Sequence, residues 1–222
     1  MSALILHLET STKICSVALS QNGTLLSYLD KTGDGYIHGE QLTLMITEVL
    51  LRTGVQLQDL SAISYSAGPG SYTGLRIGLS TAKGLCFAMQ IPLIAIPTHQ
   101  ILFQIAKETG LTTDAEVFAL LDARRSEVYL QTFDAQGDTL QHLQCALLEK
   151  TVLTELSSMI VVGDANEKAK SYWTDPSIQW LDQPLSAKFQ VKPAQQALEM
   201  NAFEDLAFCS PIYLKGANGV LL

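Results

Sequence analysis

The chain has 222 residues, of which 47% are hydrophobic and only 16% charged, and it carries a net charge of −8. That length holds one large domain or two small ones with an apolar core, and the acidic balance repels phosphate backbones, which excludes strong direct nucleic-acid binding by the chain alone. The longest apolar stretch, near residues 85–97, is interrupted by Gln90, Pro92 and Pro97 and is too short to span a bilayer.

Residues 4–8 form an apolar run, broken by His7, with no basic flank or cleavage site, which reads as a buried strand and not as a signal peptide. "CSVALSQ" and "TLLSYLD" flank Asn22-Gly23, a pair that supplies the positive φ angles of a tight hairpin. In "HGEQLTLMITEVLLRTG" the residues Leu42, Met45, Ile46, Val49 and Leu50 recur at helical spacing, and Gly54 can cap the end. "LSAISYSA" predicts a strand, residues 72–89 a helix, "IPLIAIP" a strand, and Thr98 the cap of a further helix.

The second half echoes that order. "AEVFALLDA", "EVYLQTFD" and "LQHLQCALL" read as strands, followed by a short helix near Val152, strand "MIVVG", a helix near Glu167, strand "IQWL" and a helix over residues 194–200. The order βββαβαβα, read twice, predicts a duplicated α/β fold with two lobes: residues 1–101, and a smaller, degenerate lobe over 102–222. No internal sequence repeat is visible, so the equivalence rests on element order. Cys15, Cys86, Cys145 and Cys209 form no C-x-x-C pair and sit in apolar contexts, as reduced core thiols of a cytoplasmic protein would.

The stretch "SAGPGSYTGLRIGLSTAKGL", residues 66–85, raises the question of phosphate binding. It lies between a strand and a helix, the right place for an anion. However, Leu75 and Arg76 follow Gly74 where a Walker loop has lysine and Ser/Thr, and Thr73 occupies the third-glycine position of a dinucleotide fingerprint. A tight strand-to-helix turn is the simpler reading. Gly74, Gly78 and Ala82 then fall on one helical face. An interior glycine costs about 1 kcal/mol relative to alanine, so close approach of another backbone is expected there. The helix is apolar almost all round, and the one starting near Glu40 has a second apolar stripe, Leu44 and Leu51. Leu44, Leu51, Gly74, Arg76, Gly78, Leu79 and Ala82 are therefore the expected partner interface, the alternative being that a crossing helix of the same chain covers that surface and the glycines face the chain's own core.

"LHLETSTKICSVAL", "HGEQLTLMI", "SAGPGSYTGLRIGLSTAKGLCFA", "LLDARRSEVYLQTF" and "PIYLK" occur in the order seen in the TsaB (YeaZ) family, which the chain resembles over nearly its whole length. The resemblance implies the actin/Hsp70/sugar-kinase (ASKHA) fold. It also implies a non-catalytic subunit required, with the catalytic paralogue TsaD and the ATPase TsaE, for threonylcarbamoyl transfer to adenosine in tRNA. No cofactor is expected on the chain itself; ATP or ADP and a metal are expected in the partner or at the complex interface, and a homodimer is possible in isolation. The paralogue's metal-binding histidine pair falls here at Thr98 and Leu102, neither of which replaces imidazole.

The superfamily's two phosphate hairpins are eroded. The first keeps an acid, Glu9, but places Thr10, Ser11 and Thr12 where a glycine would let backbone reach a phosphate. The second keeps Asp122, with Ala123, Arg124 and Arg125 in place of glycines. Glu9, Thr10, Ser11 and Asp122 are the weak candidates for cofactor contact, Asp122 being expected more readily in a salt bridge with an arginine than on magnesium. His7 reads as a core or edge histidine, His38 as a surface residue at a helix start and His142 as exposed. No catalytic group stands out. The rivals are a small ATP-dependent kinase or ATPase of the same superfamily and an M22-type metallopeptidase-like protein.

Overall fold

The computed structural model describes residues 3–33, 37–110, 115–150 and 158–216. The helix expected near Val152 lies outside them. β1 (Leu4–Glu9), β2 (Cys15–Gln21) and β3 (Thr24–Lys31) form an antiparallel meander, followed by α1 (His38–Thr53), β4 (Ala62–Gly68), α2 (Tyr72–Met89), β5 (Leu93–Pro97) and α3 (Thr98–Glu108). β4 adds to β1 in parallel and β5 to β4, giving the order β3-β2-β1-β4-β5. All six residues of β1 are buried; Leu4, Ile5, Leu6 and Leu8 suit a central strand paired on both edges, and His7 and Glu9 are its two polar residues. Asn22 (φ 49°) and Gly23 (φ 73°) make the expected hairpin turn. The helical spacing in α1 buries Leu42, Met45, Ile46, Val49 and Leu50, and Gly54, at φ 68°, caps the helix through its N–H.

The second sheet repeats this topology. β6 (Glu116–Asp122), β7 (Glu127–Phe133) and β8 (Thr139–Leu147) form a meander, then β9 (Met159–Gly163), α4 (Asn166–Lys170) and β10 (Ile178–Leu181) follow. β9 pairs in parallel with β6 and β10 with β9, so the order is β10-β9-β6-β7-β8. Numbered from its own first strand, each sheet reads 3-2-1-4-5, which is the duplication that element order suggested. Leu6, Leu8, Leu19, Met45, Ile63 and Tyr65 anchor the first core; Phe118, Leu120, Leu130, Val161 and Trp173 anchor the second.

One segment differs from the sequence-based division. Met1–Ile101 forms a compact unit together with Ser186–Tyr213, and Leu102–Leu185 a second unit with the residues from Leu214 on. The return of 186–213 to the first unit is fixed by polar contacts that no local pattern encodes. Ser186 Oγ donates to Asp30 at 2.8 Å and Ala187 N–H to Ser16 Oγ at 2.8 Å. A short 3-10 turn (Ala187–Gln190) then leads into α5 (Val191–Glu199), and Ile212 N–H donates to the Ala67 carbonyl at 2.7 Å.

Candidate functional site

The glycine face of α2 is occupied by its own chain. Gly74, Gly78 and Ala82 are buried, as is Leu79. A Cβ on Gly74 would lie 2.1 Å from the Thr10 carbonyl oxygen, one on Gly78 would lie 2.2 Å from Thr10 Oγ1, and one on Gly70 would lie 2.4 Å from the Ser11 carbonyl oxygen. Close backbone approach is thus the reason for the glycines, but the approaching segment is the β1–β2 loop and not a second protein. Gly74, Gly78, Leu79 and Ala82 leave the interface set. The loop also closes the N-terminus of α2. Ser71 N–H donates to the Ser11 carbonyl at 2.6 Å, and Ser71 Oγ caps Gly74 N–H at 3.2 Å. Two of the amides at this helix start, those of Ser71 and Gly74, are thus engaged within the chain.

That loop rests on a buried polar cluster. Glu9 is fully buried; its Oε1 accepts from Ser11 N–H at 2.7 Å and Ser11 Oγ at 2.6 Å, while Oε2 has no hydrogen bond. Burial raises its pKa from an ordinary 4.5 to about 7, against a partial lowering by Ser11, Ser66 and Gln190. Beside it, Ser64 Oγ gives its one proton to Gln190 Oε1 at 2.7 Å, so His7 Nδ1–H must donate to Ser64 and Nε2 must accept from Ser20, both at 2.7 Å. Burial drives the His7 pKa down to about 3, so the imidazole is neutral. His7 is therefore a satisfied core histidine. His38 departs from its surface reading: it is fully buried, with Nε2 bonded to the Ile14 carbonyl at 3.2 Å.

What remains on the surface is the outer face of α1 and α2. Leu44 is 60%, Leu51 76% and Phe87 72% exposed. Along α2 the exposed positions Thr73, Arg76, Ser80, Gly84 and Phe87 form one helical stripe. An open groove of about 540 Å³ runs between the two helices, lined by Gly39, Tyr72, Thr73, Arg76, Ile77, Ser80 and Thr81. Arg76 lies over the Tyr72 ring at 4.2 Å and donates from Nε to Tyr213 Oη at 3.2 Å. Of the interface residues expected from sequence, Leu44, Leu51 and Arg76 lie on this face. Phe87 and Tyr72 could have been read from the helical stripe; Tyr213, 137 residues from Arg76, carries no sequence signal.

Asp122 lies elsewhere, in the second unit, and pairs with Lys168 from α4 instead of an arginine. Arg124 offers it only a backbone N–H, at 2.7 Å, because the arginines stand at the apex of the turn. Thr98 and Leu102 are fully buried. Among the described residues no group of three or more His, Cys, Asp or Glu side chains is placed to hold a metal ion, and no helix is long and apolar enough to cross a membrane.

Two five-stranded sheets with the first strand central in each define the class, the ASKHA-like fold. A polyphosphate/ATP-glucomannokinase from Arthrobacter sp. strain KM shares it at a TM-score of 0.51 and 12% identity, over 90% of this chain and 99% of that one. A far nearer likeness is to YeaZ from Pseudomonas aeruginosa, with a TM-score of 0.83 and 27% identity over 96% of this chain and 100% of the other. The chain is also 34% identical over 139 residues to the tRNA threonylcarbamoyladenosine biosynthesis protein TsaB of Escherichia coli, 62% of this chain and 58% of that protein. It thus spans little more than half the length of that curated relative. The family model "TsaD: tRNA N6-adenosine threonylcarbamoyltransferase" matches residues 36–175. The chain belongs to the TsaB/YeaZ family of tRNA threonylcarbamoyladenosine biosynthesis proteins, which is related to TsaD.

Proposed function

We propose that the chain is a non-catalytic docking subunit for threonylcarbamoyl transfer to adenosine in tRNA. Its partner is a catalytic paralogue of the TsaD type, joined in the reaction by an ATPase of the TsaE type, all in the cytoplasm. ATP or ADP and the metal are held by the partner or at the joint surface. The observation that carries the reading is the exposed apolar residues of α1 and α2, Leu44, Leu51 and Phe87, together with the groove between these helices, whose polar anchor is Arg76 stacked on Tyr72. Aromatic and arginine anchors beside exposed leucines are the composition of an interface centre. A paralogue of the same fold is the natural occupant, since the family is related to TsaD.

Leu44→Asp together with Leu51→Asp is expected to abolish co-purification with the paralogue. Each leucine buried at an interface contributes about 1.5–3 kcal/mol, so the pair weakens association at least a hundredfold. Both side chains are exposed in the free chain, so its melting temperature stays within about 2 °C. Depletion of the protein lowers threonylcarbamoyladenosine in tRNA and leaves other modified nucleosides unchanged, as read by nucleoside mass spectrometry. Wild-type levels of that nucleoside with the double variant as sole copy, or normal co-purification, would remove the docking reading.

A further inference from the structure

The turn between β6 and β7 places Arg124 at φ 69° and Arg125 at φ 51°. Two successive L-residues in the left-handed region are uncommon, and glycine or asparagine would occupy these positions with less strain. The turn is held from several sides. Arg124 N–H donates to Asp122 Oδ1 at 2.7 Å, Glu127 N–H to the Arg124 carbonyl at 3.1 Å and Ala123 N–H to the Glu127 carbonyl at 3.2 Å. Lys168 pairs with Asp122 and donates to the Glu127 carbonyl at 3.0 Å; Lys215 donates to the Ala123 carbonyl at 3.0 Å and to Glu127 Oε2 at 2.6 Å. The carboxylates flanking the arginines are thereby neutralised by lysines, and the Lys215 ammonium holds Glu127 below the usual carboxylate range. Both arginines are exposed, and neither guanidinium donates a hydrogen bond to, or forms a salt bridge with, any described residue. Two of the chain's four arginines thus stand unpaired on one clamped, strained turn in a protein of net charge −8. Nothing in the packing of the fold explains them, and strain held by surrounding structure marks ligand contacts.

We infer that the Arg124–Arg125 turn is a phosphate-contact point that takes phosphodiester groups of an RNA strand. The inference rests on the proposed role in tRNA modification, which puts an RNA within reach. Guanidinium forks match phosphate oxygens in a way that ammonium groups do not. Adjacent exposed arginines present two such forks to one strand. The acidic remainder of the surface repels a polyanion, so the contact is confined to this turn and weak, in the range of non-specific binding, about 10⁻⁴ to 10⁻⁶ M. Its service is to position RNA, not to read sequence.

The test is fluorescence anisotropy of labelled total tRNA with the full chain at 50 mM salt. The wild type binds saturably. Arg124→Gln with Arg125→Gln weakens binding at least tenfold and lowers the slope of log K against log salt by nearly two, as expected for two lost phosphate contacts. Lys107→Gln with Lys150→Gln, which removes the same charge from exposed positions of the same unit, stays within twofold of wild type. Arg124→Gly with Arg125→Gly relieves the backbone, melts no lower than wild type and still fails to bind, which separates the loss from unfolding. No saturable binding by the wild type, or equal binding by the glutamine variant, overturns the inference. Stronger competition by ATP, or by polyglutamate, than by unlabelled tRNA also overturns it, assigning the turn to a free nucleotide or an acidic protein. Co-purification with the paralogue is unchanged in all these variants, so loss of docking and loss of RNA contact are read separately.

Discussion

Gly74→Ala is expected to destabilise the chain by about 2 kcal/mol or more, although the same substitution ten residues further along the same helix stabilises it. At Gly74 the added Cβ meets the Thr10 carbonyl oxygen at 2.1 Å. That atom is backbone in a loop whose other side is held by Glu9, so it cannot rotate away, and helix and loop must separate. The gain of about 1 kcal/mol in helix propensity offsets only part of this. At Gly84 nothing lies within 4 Å, so alanine gains about 0.5–1 kcal/mol with no clash. Urea denaturation of the two variants beside wild type measures both signs at once. Equal effects at Gly74 and Gly84 would mean that the β1–β2 loop does not seat against α2. Gly78→Leu follows Gly74→Ala: its Cβ meets Thr10 Oγ1 at 2.2 Å and Thr10 Cβ at 3.4 Å, so it overpacks the interior and lowers the melting temperature.

The glycine periodicity shows what the sequence can carry and what it cannot. Gly74, Gly78 and Ala82 at four-residue steps announce that a backbone approaches α2 closely, and one does. They do not say whose backbone it is, because the same pattern serves an intramolecular and an intermolecular contact equally. The answer depended on the register of Thr10 and Ser11 some sixty residues earlier. Local signals were legible where local physics decides the outcome: Asn22-Gly23 in its hairpin, Gly54 at the end of α1, the apolar run of β1. The return of residues 186–213 to the first unit was not legible, since it hangs on single side chains such as Ser186 and Gln190 meeting Asp30, Ser64 and the Leu8 carbonyl. His38 misled for a related reason. A polar residue at a helix start is normally solvated, but here the Ile14 carbonyl offers a buried acceptor. The exposed face was legible in part, because Leu44 and Leu51 fall outside the core stripe of α1, whereas the Arg76–Tyr72–Tyr213 stack needs the fold to assemble it.

Glu9→Gln is expected to stabilise the chain by about 3 kcal/mol at pH 8 and by little at pH 5. The carboxyl is fully buried, and Oε2 has no hydrogen bond to offset the loss of water. Its pKa is raised from 4.5 to about 7, so the folded chain binds a proton more tightly than the unfolded chain. A raised pKa contributes stability that is fully present below pH 4.5 and is lost as pH rises through 7; above that the folded protein holds an ionised carboxylate in its interior. Among the groups around it, His7 stays neutral throughout this window, its pKa being about 3, and the Cys15 thiol is pushed up to about 12. Ser11, Ser66 and Gln190 do not titrate. The difference between wild type and variant therefore isolates one proton. Glutamine is the isostere of the protonated acid: its Oε1 keeps both hydrogen bonds from Ser11, and its amide replaces the unpartnered oxygen without a charge. Glu9→Ala discards the Ser11 contacts as well and is expected to destabilise at every pH, which separates the charge from the scaffold. Chemical denaturation of wild type and Glu9→Gln at intervals from pH 5 to 8.5 gives two curves that diverge above pH 5 and run parallel above about pH 7.5. Curves that stay parallel across the whole range would mean that Glu9 is ionised at no cost, and that water reaches the loop on which α2 is seated.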